Sequence, residues 1–197
     1  MILFRLQAPT LKQAEQQLLG PYVDSLEGAK WAAAKGPSIV PVLSQMLDRV
    51  EDYKKRDDGT MGAFPFNTIW ALGHIKGDAS RAALNRYIRR TQDITNRTQA
   101  MYAIAAHDLR ARKKSDSYGV LGSTSPAGKL YAQASENSRV LKTMKPGQPV
   151  RLLKEAIENP KEEGARGGPT VYDYVELVPS GPRGYVQRAG DIFSPFF

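Results

Sequence analysis

The chain has 197 residues and a mass of 21.7 kDa, 41% hydrophobic and 24% charged, which is globular composition with room for one medium domain or two small ones. No apolar run reaches the roughly 18 residues that cross a bilayer. Zero cysteines exclude disulfides, thiolate metal sites and a cysteine nucleophile, and two histidines leave little for zinc or histidine catalysis. The formal charge of +8, from 28 Lys and Arg against 20 Asp and Glu, favours an anionic partner, although solubility alone also accounts for such a balance.

The first predicted helix starts at Thr10 and places Leu11, Ala14 and Leu18 on one face before Gly20-Pro21 stops it. An alanine-rich helix over Asp24–Lys35 carries Trp31 and ends at Gly36-Pro37. A third, opened by Ser38-Ile39-Val40-Pro41, turns Val42, Leu43, Met46, Leu47 and Val50 inward. Tyr53–Gly59 reads as a solvated loop. Helices over Phe66–Ile75 and Ala79–Arg90 follow, split by Lys76-Gly77-Asp78, and a last long one covers about Asn96–Arg112.

These helices look repeated. Trp31-Ala32-Ala33-Ala34-Lys35-Gly36-Pro37, followed by Leu43, Met46 and Leu47, parallels Trp70-Ala71-Leu72-Gly73-His74-Ile75-Lys76-Gly77-Asp78, followed by Leu84, Tyr87 and Ile88. A third copy begins at Thr98. Helix pairs repeating at about 40 residues are the unit of a helical solenoid, because a lone pair cannot bury its apolar face. Small residues between large ones, with Gly-Asp at the turn, make residues 26–110 resemble HEAT and related repeats. An ordinary helical bundle is the alternative.

Composition shifts at Lys113-Lys114-Ser115-Asp116-Ser117: Gly and Pro total 12 in the first 113 residues and 18 in the remaining 84. Two domains are therefore expected, helical over 1–113 and all-β over 118–197. Short strands are predicted at Val120-Leu121, Leu130–Gln133, Arg139–Leu141, Pro149–Lys154, Thr170–Val178 and Gly184–Arg188, a spacing that suits a small barrel. Asp173 breaks the apolar alternation of Val171, Val175 and Leu177 and implies a strand end or a bulge. Glu155–Pro169, rich in Glu, Gly and Lys, reads as a long loop.

Ser138-Arg139-Val140-Leu141, Lys145-Pro146-Gly147-Gln148-Pro149-Val150, Tyr172-Asp173-Tyr174-Val175 and the closing Gly184-Tyr185-Val186 make residues 118–192 resemble the bacterial Src-homology-3-like domains. Tyrosines replace both family tryptophans, and Leu130-Tyr131-Ala132 stands where Asn-Val-Arg is usual. The resemblance implies a small barrel, an aromatic groove able to hold extended peptide or peptidoglycan stems, and a place in the bacterial envelope. The fold expected for the whole is a HEAT-like α-α repeat domain followed by a Src-homology-3-like β-barrel.

No nucleophile–base–acid set is visible, so no catalytic residue, cofactor or metal ligand is assigned. His74 and His107 read as packing or helix-end residues. Asp57-Asp58-Gly59 lacks the later ligands of a calcium loop, and Gly164-Ala165-Arg166-Gly167-Gly168 lacks the lysine of a phosphate loop. Two candidate partner surfaces remain. One is basic: Arg81, Arg86, Arg89, Arg90 and Arg97, extended by Arg110, Arg112, Lys113 and Lys114, with a solvated helix face as the plain alternative. The other is Tyr131, Tyr172, Tyr174 and Tyr185 on the strands, half of them expected in the core.

The function expected is therefore non-enzymatic binding of another, acidic protein, as an adaptor or inhibitor in the cell envelope. The alternatives are peptidoglycan binding, or cytoplasmic nucleic-acid binding through the basic face. Met1-Ile2-Leu3-Phe4-Arg5 is not a signal peptide, so an envelope location implies a leader absent from this chain.

Overall fold

The computed structural model describes residues 9–19, 26–54, 64–121, 128–163 and 168–187. Two compact units divide the chain, Met1–Arg97 and Thr98–Phe197. The division falls inside a helix rather than at the polar Lys113–Ser117 joint.

In the first unit α1 (Leu11–Leu18), α2 (Leu26–Ala34), α3 (Val40–Asp48) and α4 (Val50–Lys54) precede α5 (Phe64–His74) and α6 (Asp78–Arg90). Thr10 starts α1 with a capping box: its hydroxyl accepts from the Gln13 amide at 3.3 Å, and the Gln13 side chain accepts from the Thr10 amide at 2.9 Å. Pro37 opens a 3₁₀ turn over Gly36–Ile39, and Pro41 sits in the first turn of α3, where its missing N–H costs nothing. Tyr53 of α4 is fully buried, donates to Glu15 Oε1 of α1 at 2.6 Å and meets Phe64 edge-on at 4.9 Å.

These helices are not a HEAT repeat. In a solenoid each helix pair touches only the pairs before and after it. Here α5 packs against α1, α2, α3 and α6, and every residue from Phe64 to Gly73 is buried. A helix buried on all sides, here including the polar Asn67 and Thr68, belongs at the centre of a cluster. The Trp31–Trp70 equivalence fails for the same reason, since Trp70 is buried and Trp31 is only half-buried. The supposed third copy is the single helix α7 (Ile94–Lys113), whose chain continues directly into a strand.

The second unit holds α7 from Thr98 onward and six strands: β1 (Tyr118–Val120), β2 (Lys129–Tyr131), β3 (Val140–Thr143), β4 (Pro149–Glu163), β5 (Pro169–Leu177) and β6 (Arg183–Gln187). All pairings are antiparallel, in the order β1-β4-β5-β6-β2-β3. The expected closed Src-homology-3-like barrel is thus replaced by a curled half-barrel, with β1 and β3 at the ends of the described sheet. Its inner face buries Leu121, Leu130, Met144, Val150, Val175 and Val186. Gly184 lies on this face, and a Cβ there would meet the Tyr131 carbonyl oxygen at 2.6 Å and Leu130 Cγ at 2.8 Å. The β3–β4 connection turns at Lys145-Pro146-Gly147-Gln148, where Pro fixes the second position and Gly147, at φ 77°, takes the left-handed third.

Glu155–Glu163 is strand, not loop. β4 continues through it, pairing Ile157 with Tyr172, Glu158 with Val171 and Asn159 with Thr170. The register shifts between Lys154 and Ile157, and Ala156 takes φ 53° there. Asp173 accounts for the shift: it is fully buried, and its Oδ1 accepts the Ala156 N–H at 3.0 Å. The bulge lies in β4, opposite the residue that breaks the alternation.

Candidate partner-binding surfaces

All four arginines of α6 are exposed, and two of them reach across to α3. Arg86 and Arg90, one turn apart, face Ser44 and Asp48, one turn apart on α3. Arg86 Nη2 donates to Ser44 Oγ, and Arg90 Nη1 reaches Asp48 Oδ1 at 2.7 Å. Arg97 folds back to donate to the Thr91 carbonyl at 2.5 Å, at the end of its own helix connection. Arg110 is buried, donates to the Tyr118 carbonyl at 3.0 Å, and burial lowers its pKa to about 10 against the opposing pull of Asp116. Of the basic set only Arg110 is buried; Arg81, Arg86, Arg89, Arg90, Arg97, Arg112, Lys113 and Lys114 are exposed.

The four tyrosines fall into two pairs. Tyr131 and Tyr172 are buried and meet edge to face at 6.3 Å. Tyr174 and Tyr185 are half-buried, stand directly opposite each other on β5 and β6, and lean together at 4.8 Å. Tyr172 is committed to the structure, because its hydroxyl donates to Glu162 Oε2 at 2.5 Å. Glu162 Oε1 accepts from Ser135 Oγ at 2.5 Å and from the Glu136 N–H at 3.0 Å, which ties the far end of β4 to the β2–β3 turn. The bonds from Ser135 and Tyr172 hold the Glu162 carboxyl below the ordinary carboxylate range. Burial, and then the nearness of Glu162, pushes the Tyr172 phenol up, and burial does the same to Tyr131. Beside this hub lies an open cleft of ≈ 540 Å³ lined by Gln133, Asn137, Glu158, Asn159 and Lys161 among others. The donors from Ser135, Tyr172 and the Glu136 N–H make Glu162 a tie between β4, β5 and the β2–β3 turn.

Strand register shows what the tyrosine spacing alone does not. Residues directly opposite share a face, so Tyr118, Arg151, Glu176 and Arg183 form one row across β1, β4, β5 and β6. The next row holds Lys154, Tyr174, Tyr185 and Tyr131. Val150, Val175 and Val186 point to the opposite, inner face. On the outer rows Arg151, Lys154 and Arg183 are exposed, and Tyr118, Tyr174 and Tyr185 are half-buried. Glu176 pairs with both Arg183, at 3.1 Å, and Arg151, at 3.9 Å. Tyr118 has Lys113 Nζ and Arg151 Cζ each 5.8 Å from its ring centre. The cations of this face had no signal in the sequence, because they lie on separate strands and only the bulged register aligns Lys154 with Tyr174.

His74 caps the end of α5, stacked at 3.5 Å on Trp70, with Nδ1 2.8 Å from the Trp70 carbonyl. Among the described residues no cluster of three metal-ligating side chains occurs, and no helix is long and apolar enough to cross a membrane. Asp57-Asp58-Gly59, Gly164–Gly167 and Met1–Arg5 lie outside the described residues. No family model matches this chain, and neither a curated protein nor a solved structure is significantly similar to it.

Proposed function

We propose that this protein acts by binding rather than catalysis, and that its partner is another protein with an acidic surface, held as by an adaptor or inhibitor in the cell envelope. The outer sheet face carries the reading. It sets three half-buried tyrosines among Arg151, Lys154 and Arg183, and its single carboxylate in those rows, Glu176, is already taken by two of the arginines. Tyrosine and arginine are enriched among the residues that dominate interface energetics, tyrosine because it brings a large area with few rotors to freeze and arginine because its planar fork matches a carboxylate. A net positive face also steers an acidic partner before contact. The basic set on the helices is exposed as well, but the sheet rows are favoured because they set tyrosines beside the cations.

Capture from extract of the source cells tests this, using the full-length chain and its Tyr174→Ala/Tyr185→Ala and Arg151→Ala/Arg183→Ala forms. The reading expects one stoichiometric acidic protein, retained by the native chain and lost from both variants. Retention of wall fragments alone would replace it with peptidoglycan binding. The envelope location rests on the sequence resemblance of residues 118–192, and fractionation of the source cells tests it separately.

A further inference from the structure

We propose that the outer edge of β3 takes an acidic, extended segment of the partner as an added strand. The inference rests on the reading that the chain binds an acidic protein, and it names a second contact and how it is held. β3 ends the described sheet and pairs there with β2 alone. The Met144 N–H donates to the Gly128 carbonyl at 2.7 Å, and the register continues through Lys129 opposite Thr143 and Leu130 opposite Lys142. In an antiparallel ladder bonded and non-bonded pairs alternate, so the amide and carbonyl of Thr143 turn away from β2. Arg139, Val140, Lys142 and Thr143 are all exposed, Val140 at 42%.

Charge selects the occupant. From Asn137 to Lys154 the chain has five basic residues and no carboxylate; Arg139 immediately precedes β3, Lys142 lies on it and Lys145 in the turn that follows. Lysines on an edge strand repel an identical edge, which argues against a second copy of this chain. The same lysines attract a strand whose alternate residues are Asp or Glu, while Val140 offers an aliphatic contact to the residues between. The added strand gains backbone bonds at Thr143 and ion pairs beside it.

The test uses the full-length, isotope-labelled protein and a capped peptide of alternating Glu and Val, about eight residues long, the length of an ordinary strand. Amide exchange at Val140–Thr143 is followed with and without peptide. The proposal expects the Thr143 amide to slow with the Glu–Val peptide and not with a Lys–Val peptide of equal length. It also expects Lys142→Glu, a surface change that leaves the fold intact, to weaken binding about tenfold, and Thr143→Pro to do the same by removing the outward donor. Arg89→Ala, exposed on α6, should leave this binding unchanged. A peptide that leaves β3 exchange unaltered overturns the edge proposal, and one that protects the Tyr174–Tyr185 rows instead does so while sparing the outer-face reading. Equal protection by oligothymidylate overturns the acidic-peptide assignment in favour of a general polyanion.

Discussion

On α6, Arg86 and Arg90 are exposed and reach across to Ser44 and Asp48 of the neighbouring helix, whereas on the sheet Arg151 and Arg183, exposed and sharing Glu176, stand with Lys154 in rows that also hold the half-buried Tyr118, Tyr174 and Tyr185. In the helical unit the charges at helical spacing fasten one helix to the next. In the strand unit the charges lie on separate strands, where nothing in the linear spacing announces them, and there they border the aromatic surface a partner could use. Both sets are exposed and partly paired, so pairing does not choose between them; what the sheet rows add is the tyrosines that register sets beside the charges.

The contrast can be broken from either side, and the largest effects come from the two glycines where backbone passes closest. Gly184→Ala would press a methyl against the Tyr131 carbonyl at 2.6 Å, and Gly28→Ala would press one against the Gln17 carbonyl, where α2 crosses α1. Each should destabilise its own unit by about 1–3 kcal/mol. Thermal unfolding followed at tyrosine for the sheet and by far-ultraviolet ellipticity for the helices should show separate losses. A smaller effect concerns Glu162. Its carboxyl is lowered in the folded protein by Ser135 and Tyr172, so its contribution is present above the ordinary value of 4.5 and is lost as pH falls through the lowered folded value. Urea midpoints should drop over that acid window in the native chain and flatten in Glu162→Gln. Tyr172→Phe should narrow the window, since one of the two largest causes of the shift is gone.

Smallest of all should be the arginines. Arg90→Ala removes an exposed pair with Asp48 and should cost at most about 1 kcal/mol, while Arg89→Ala should change stability by less than about 0.5 kcal/mol. Denaturant unfolding of the two variants beside the native protein checks the order.

Much of the order of elements is legible in the sequence. α6 runs over Asp78–Arg90 where Ala79–Arg90 is expected, because apolar spacing marks the helix and Lys76-Gly77-Asp78 marks its start. Arrangement is harder to see. The similarity between the segments around Trp31 and Trp70 reflects shared small residues, while α5 is buried on every side and takes the centre of its cluster, unlike a repeat helix that touches only its neighbours. The far half of β4 is hidden because Glu155-Ala156-Ile157-Glu158-Asn159-Pro160 has no alternation. That stretch is held as strand by the Asp173 bulge, the pairing with β5 and the Glu162 bonds, all of which depend on residues remote in sequence. The tyrosine set shows the same limit. Spacing brings Tyr172 and Tyr174 together, yet one becomes core and the other surface once the end of β4 folds over Tyr172.

The most direct measurement is the affinity of the captured partner for two panels of full-length variants, Tyr174→Ala/Tyr185→Ala with Arg151→Ala against Arg81→Ala with Arg89→Ala. The account predicts a loss of more than about tenfold for the sheet panel and less than about twofold for the helix panel. A helix panel that abolishes binding while the sheet panel retains it would contradict the account and return the binding face to α6.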